Sequence, residues 1–397
     1  MPDLFLARTT PERQAKRTVL IVGAGIGGLS AGIALRQAGW DVRIFERGAS
    51  VRELGFGLLV SPNAIAALRE LGVADMVLAR GCAPTRGEVR RMDGTVFKRA
   101  DFPPAEALGG PTVIALRHAL HGALFESFGA DAVSLSSEAI GFDATQNGIA
   151  LRLTNGTVAE GDLLVGADGV GSVIRRSLHP GEPEPRSSGI VAVRGGVHGA
   201  IRHLGGLSGI YYLDRGVEAF LVQASDTGIY WALSLANKLV PPGMRDPRAI
   251  VRHMSPLFEA PFREVTSMTE DLRCDELVDR DPISFWGRGR ITLLGDAAHP
   301  VLPHTGQGAA QAIVDAVALK KVLSRHSDVE QALRIYERER QAKTAALLLQ
   351  GRRTARLMRS TNPAVCYARE IAIRVMPVKP MVRLFARLNR RAGTDVS

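Results

Sequence analysis

A β-type run, Thr18-Val-Leu-Ile-Val22, passes directly into Gly23-Ala-Gly25-Ile-Gly27-Gly28 and then into a helical pattern that stops at Gly39. Few folds accept that succession. In a G-x-G-x-x-G turn the first glycine, Gly23, makes the tight bend, and the second, Gly25, lets the backbone approach a pyrophosphate. The third, Gly28, lets the helix lie close to the strand, with its first N–H groups facing the anion. A second strand, Asp41-Val-Arg-Ile-Phe-Glu46, ends in an acid eighteen residues after Gly28. A carboxylate there accepts hydrogen bonds from ribose hydroxyls and repels a 2′-phosphate. Together these parts predict one dinucleotide-binding βαβ unit. The fingerprint alone does not separate NAD from FAD.

The rest of the chain changes character. Ser61 to Leu71 predicts a helix, with Ser61 as N-cap and Pro62 at its first position. Another helix lies within Pro111–Phe128. Residues 133–142 and 149–165 alternate as strands do, with a turn at Thr154-Asn-Gly-Thr157. From Ile190 to Leu235 short strands recur between glycine-bearing turns at Gly195-Gly196, Asp214-Arg-Gly216 and Asp226-Thr-Gly228, predicting an antiparallel sheet. Arg290–Leu294 reads as a buried strand, Gly306–Leu323 as a helix, and helical patterning continues with breaks to the end. An α/β nucleotide-binding layer is thus interrupted by a mostly β region and closed by a helical tail.

Two later motifs narrow the cofactor. Leu163-Leu-Val-Gly-Ala-Asp-Gly169 is a strand running into a Gly-Asp-Gly-type turn. Ile291-Thr-Leu-Leu-Gly-Asp-Ala-Ala-His-Pro300 is a strand ending in Gly-Asp, followed by Pro303-His-Thr-Gly-Gln-Gly308 and a helix. With these, residues 18–325 resemble the class A FAD-dependent monooxygenases, the aromatic-ring hydroxylase family of the para-hydroxybenzoate hydroxylase type. The chain shows Val314-Asp315 where the family often has Glu-Asp. It lacks a second Rossmann fingerprint, a redox cysteine pair and the W-x-W-x-I-P signature of flavin halogenases.

The resemblance implies an α/β fold: an FAD-binding, Rossmann-like domain of the glutathione-reductase type, an inserted antiparallel substrate sheet and a C-terminal helical tail. The expected division is an N-terminal extension over 1–17 and a discontinuous FAD-binding domain over 18–75, 105–180 and 275–330. A substrate domain over 76–104 and 181–274 and a helical region over 331–397 complete it. The resemblance also implies residue roles. Gly295-Asp296 would hold the ribityl chain, and Asp168-Gly169 would serve the pyrophosphate and the handling of the nicotinamide nucleotide. Arg117 would meet FAD, and Arg47, beside Glu46, would lie near the adenosine. Pro300 and Gly306-Gln307-Gly308 would lie beside the isoalloxazine ring, where a helix start aims its positive end at the edge that becomes anionic on reduction. Plainer readings stay open: Asp168 as a turn cap, Arg117 as a surface arginine, Asp296 as an N-cap.

The implied reaction consumes NADH or NADPH and O2 and transfers one oxygen atom, through a flavin C4a-hydroperoxide, to an aromatic or heteroaromatic small molecule. The alternatives are an epoxidase of an olefinic terpenoid or polyketide, or a flavin-binding protein without turnover. His304 and Arg194 are the polar catalytic candidates, with Tyr212 beside them. Tyr211, Gln223, Tyr230 and Trp231 are candidates to line the substrate. They lie on alternating strands, so about half should point away from the pocket into core. His304 reads equally as a loop histidine bonded to backbone, and His299 as structural.

Charge and cysteine usage bound the rest. The chain carries 50 Lys+Arg against 40 Asp+Glu, a net +10 over 397 residues. From Gly351 to Ser397 there are eleven Lys/Arg against Glu370 and Asp395, a net +9, which leaves +1 for the first 350 residues. The basicity is therefore local, and no stacking aromatics accompany it, which disfavours nucleic acid. Arg383, Arg387, Arg390 and Arg391 would share one helix face, either solvated on a docked helix or in weak peripheral contact with a membrane. Cys82, Cys274 and Cys366 are scattered, without metal spacing, and predict a reducing cytoplasm. No segment predicts an integral membrane span, and no metal is expected.

Overall fold

The structure is a computed structural model that describes residues 17–50, 57–145 and 148–377. The arginines of the 381–391 segment, and all but Arg17 of the N-terminal extension, lie outside them.

Five parallel strands form the central sheet, in the order Ile291–Leu293, Leu163–Gly166, Thr18–Val22, Asp41–Phe45, Val133–Ser134. Thr18–Val22 pairs with Asp41–Phe45 on one side and with Leu163–Gly166 on the other. Val19, Leu20 and Ile21 are wholly buried, as expected of a strand covered on both faces. Helix Ile26–Gln37 packs on the long helix Gly308–Arg325, and both contribute to the same apolar core.

A seven-stranded sheet forms the second body. Its order is Leu272–Asp279, Arg186–His198, Gly228–Ala236, Val217–Gln223, Gly209–Asp214, Arg86–Arg90, Val96–Asp101. All neighbours are antiparallel except Gly209–Asp214 and Arg86–Arg90, which run parallel. Its strands come from two separate stretches of chain, 86–101 and 186–279.

The sheet's two faces do different work. Tyr212, Leu221, Trp231 and Leu233 alternate onto one face and meet Phe258, Phe262 and Val265 in a separate core. Phe258 and Phe262 stack at 4.0 Å between ring centroids, with Tyr212 edge-on to both. Such aromatic contacts add about 0.5–1.5 kcal/mol each beyond burial. The other face carries Tyr230, Ala232, Phe220 and Val222. It closes on Leu59, Ile114 and Leu116 of the small sheet formed by Gly57–Val60, Val113–Leu116 and Gly81–Cys82.

Two local expectations are corrected. Gly195-Gly196 is not a turn but lies inside the thirteen-residue strand Arg186–His198. A Cβ on Gly195 would sit 2.6 Å from Thr269 and 2.9 Å from the Trp231 ring, so close packing, not a bend, demands glycine there. Ser61 does precede helix Pro62–Leu71, but its hydroxyl does not cap the helix. It donates to Asn63 Oδ1 at 2.6 Å and accepts from Gln307.

The C-terminal helices are Val329–Met358, capped by Asp328, and Pro363–Val375, capped by Asn362. No helix among the described residues is long and apolar enough to cross a membrane. Cys82, Cys274 and Cys366 are unpaired.

Candidate active site

Four parallel strands deliver their C-terminal ends to one cavity of about 270 Å³. It is lined at those ends by Val22-Gly23, Phe45-Glu46, Ala167-Asp168 and Leu294-Gly295-Asp296. This is where an open α/β sheet places its ligand. Gly25, Arg47, Arg117, Gly169 and Gly308 complete the predicted residues on its wall.

The cavity suits an anionic dinucleotide on several independent grounds. A Cβ on Gly28 would fall 1.9 Å from the Gly23 carbonyl oxygen, so that glycine is fixed by helix–strand packing. A Cβ on Gly25 meets no protein atom within 4 Å, so the backbone at Gly25 is left bare toward open space. Helix Ile26–Gln37 starts with no side-chain cap and no acid in its first turn, and the same holds for helix Gly308–Arg325. Two uncapped positive helix ends therefore open on one cavity, an arrangement that stabilises phosphate and a negatively charged ring edge. FAD fits these donors.

The carboxylates differ in what they already do. Glu46 accepts the Ala24 N–H at 2.9 Å and the Gly48 N–H at 2.8 Å, tying the glycine turn to the second strand. Asp168 caps the helix that follows: it accepts the Ser172 hydroxyl at 2.5 Å and the Val173 N–H at 2.7 Å. Asp168 thus serves its turn and faces the cavity at once. Burial pushes its carboxyl above the usual range, against those donors. Asp296 is exposed on the cavity, and desolvation by the protein around it raises its carboxyl too, opposed by His299 and Arg117.

Behind this wall runs a buried polar chain that sequence reasoning did not find. Asp315 is fully buried and accepts from the Gly295 N–H at 3.0 Å, from Arg340 Nε at 2.6 Å, and meets His299 Nε2 at 2.6 Å. Burial works to raise the Asp315 carboxyl, but His299 and Arg340 outweigh it and hold it low. Arg340 also donates to Gln311 Oε1, Gln311 to Gln307, and Gln307 to Ser61. Gln307, predicted to lie against the flavin ring, has its side chain spent in this chain. Gly28, Pro300 and Gly306 likewise stand off the cavity wall. Ser137, Glu138, Ala139 and Gly171 line it without having been predicted.

The predicted substrate residues divide by strand alternation. Tyr212 turns away: its hydroxyl donates to Glu259 at 2.9 Å among Phe258 and Phe262. Trp231 turns away as well, donating to Thr269 at 2.8 Å. Gln223 shares their register and donates to the Ser225 carbonyl. These three readings are corrected: the residues belong to the face against the helices. Tyr230, Tyr211 and Arg194 lie on the opposite register. Arg194 pairs with Asp275 at 2.6 Å. Burial pushes the Tyr230 phenol up to about 12, with Arg194 and Arg117 pulling against it. Tyr211 donates to Glu218 Oε1, and burial followed by the Glu218 charge raises its phenol well above the usual value. Glu218 Oε2 lies 3.3 Å from His304 Nε2, an ion-pair distance without hydrogen-bond geometry, and neither Glu218 Oε2 nor buried His304 Nδ1 has a hydrogen-bond partner among the described residues. Glu218, which joins Tyr211 to His304, was not foreseen. None of Arg194, Tyr211, Tyr230 and His304 lines the dinucleotide cavity itself.

The FAD binding domain family matches residues 16–227 and 248–350. The chain belongs to this family. It is an FAD-dependent monooxygenase, a class A flavin hydroxylase, with FAD as cofactor and O2 as oxidant. Among curated relatives of this flavin hydroxylase, the aurachin C monooxygenase/isomerase of Stigmatella aurantiaca is 34% identical over 371 residues, covering 90% of this chain and 94% of the relative. The 3-amino-4-hydroxybenzoate 2-monooxygenase of Streptomyces cremeus is 32% identical over 364 residues, covering 90% and 91%. Among solved structures, Klebsiella pneumoniae HpxO complexed with FAD and uric acid superposes with a TM-score of 0.88 at 26% identity. That match covers 94% of this chain and 97% of HpxO.

Proposed function

We propose that this flavin hydroxylase uses NADH or NADPH to insert one oxygen atom of O2 into an electron-rich aromatic or heteroaromatic small molecule. The observation that carries this reading is the polar row on one register of the seven-stranded sheet, Arg194 held by Asp275, Tyr230, and Tyr211 with Glu218, which His304 approaches from the turn Pro303–Thr305. A greasy olefin needs no such row. Relatives named for hydroxybenzoate, hydroxynicotinate and urate oxygenation support the aromatic class.

FAD, once bound, would supply the redox chemistry, by which two electrons from the nicotinamide activate O2 so that one oxygen atom enters the substrate and the other leaves as water. Gly23, Gly25, Gly169 and the two helix starts would hold its phosphates and ring edge, with Arg47 and Arg117 adding positive charge. Asp296 would accept ribityl hydroxyls. The protein's own work is then to orient the substrate, exclude water and move one proton. Arg194 would anchor an anionic or carbonyl group. His304 Nδ1 would exchange a proton with the substrate's hydroxyl or ring N–H, while Glu218, steadied by Tyr211, holds the opposite ring nitrogen. We assign the nucleotide work to residues 18–75, 105–180 and 275–330, and substrate contacts to 76–104 and 181–274. Three unpaired cysteines support a reducing cytoplasmic setting.

The test is spectroscopic. Purified protein should be yellow, and NADH or NADPH should bleach it faster when the right phenol, hydroxypyridine or purine is present. Acceleration by an olefin alone, with an epoxide as product, would replace the aromatic reading by the epoxidase.

A further inference from the structure

The helix Pro363–Val375 is amphipathic in the reverse of the usual sense. Its Arg369 and Glu370 face the protein. Arg369, 6% exposed, donates to the carbonyls of Leu357, Met358 and Asp214 at 3.2, 3.1 and 2.8 Å. Glu370 accepts from Arg91 at 2.7 Å, and Lys98 donates to the carbonyl of Met376 at 2.8 Å. These contacts hold the helix on the edge strand Val96–Asp101 with its other side outward. That outward side is apolar. Tyr367, Ile371 and Val375, spaced i, i+4 and i+8, are 64%, 37% and 68% exposed. Scattered exposed apolar side chains are ordinary. An apolar side on a helix whose Arg369 and Glu370 are spent inward marks a contact surface.

We infer that this stripe docks the enzyme onto an anionic lipid bilayer. Charge decides the partner. Exposed Arg356 stands on the last turn of the preceding helix, beside the exposed Leu357 whose carbonyl Arg369 holds, and Arg374 is exposed on the helix itself. The twenty residues that follow in sequence, 378–397, add Lys379, Arg383, Arg387, Arg390 and Arg391 against Asp395 alone. An apolar stripe among cations is the composition of a helix that lies in the headgroup plane, with the apolar face in the acyl boundary and the cations on anionic lipid. A second copy of the chain is a poorer occupant, because a two-fold contact through this face would bring the exposed Arg374 of each copy toward the other. The geometry supplies an orientation as well. The contact lies at the end of the seven-stranded sheet remote from the strand Leu272–Asp279, so the enzyme would sit with the Val96–Asp101 edge toward the membrane.

The test is vesicle flotation of the full-length, FAD-loaded enzyme, with phosphatidylcholine vesicles made with and without phosphatidylglycerol. Binding is expected only to the anionic vesicles and should weaken with salt. Combining Tyr367→Ser, Ile371→Ser and Val375→Ser should weaken that binding by about tenfold or more, because these side chains supply the buried apolar area. Flavin content should not change and the melting temperature should fall only slightly, since Tyr367 and Val375 are mostly exposed and only Ile371 is largely covered. The inference is overturned by no binding to anionic vesicles, or by equal binding of the parent and the triple variant. It is also overturned if binding appears only after residues 378–397 are deleted, which would mean that the chain's own end covers the stripe. A dimer that the triple variant dissociates would assign the stripe to a second copy instead.

Discussion

The dinucleotide cavity and the polar register of the seven-stranded sheet are built from different materials. The cavity is mostly backbone: glycine turns, strand ends and two uncapped helix starts. The sheet register is side chain: an arginine–aspartate pair, the buried Tyr230 phenol, the half-buried Tyr211, and a glutamate set between that tyrosine and a loop histidine. A backbone site tolerates little change of shape and is indifferent to most side chains nearby. A side-chain site keeps its shape under substitution and loses its chemistry. The two therefore fail in different ways.

The largest effect should come from the cavity. Gly28→Val places atoms where the Gly23 carbonyl stands, and the protein should fail to fold or to retain flavin, checked by circular dichroism and visible absorbance. Gly25→Ala is the sharper half of that experiment. It meets no protein atom, so melting without FAD should be unchanged while FAD affinity falls. Equal folding losses for both variants would break the claim that one glycine serves packing and the other the ligand. Next is the hidden chain behind the cavity. Asp315→Ala strands Arg340 in the interior, and should cost about 3–5 kcal/mol by denaturant unfolding.

The sheet register should respond in rate instead. His304→Gln should lower turnover by about a hundredfold, with FAD affinity and melting unchanged, since general acid–base groups contribute on that order. A drop in flavin content instead would move His304 from proton handling to cofactor support. Tyr230→Phe tests the buried phenol through pH. Its folded pKa of about 12 lies above the ordinary 10, so the stability that depends on the neutral phenol is fully present below pH 10 and lost as pH rises through 12. The parent should lose roughly 2 kcal/mol more than the phenylalanine variant between those limits, measured by urea unfolding. The smallest effect belongs to the opposite face: Gln223→Ala should leave turnover unchanged, and a large loss would mean that the two registers are misassigned.

What the sequence determined by itself is the backbone part. Thr18–Glu46, the strand into Asp168-Gly169 and the strand into Gly295-Asp296 could be recognised because local rules govern each of them: a buried strand has to end, and glycine alone satisfies the bend or close approach that follows. Those three stretches converge in one cavity because parallel strands share the direction of their ends. The tertiary structure decided everything that depends on which way a side chain points, or on residues far apart in sequence. Tyr211 and Tyr212 are neighbours of equal propensity, and only the sheet's packing against Phe258 and Phe262 sends one to each face. Gly195-Gly196 has the composition of a turn, and only Trp231 and Thr269 opposite it explain a strand. Asp315 and Arg340 stand 25 residues apart on separate helices, and Glu218 and His304 are 86 residues apart. No spacing rule links such pairs. Burial does, because a charge removed from water must find its partner wherever the fold has brought one.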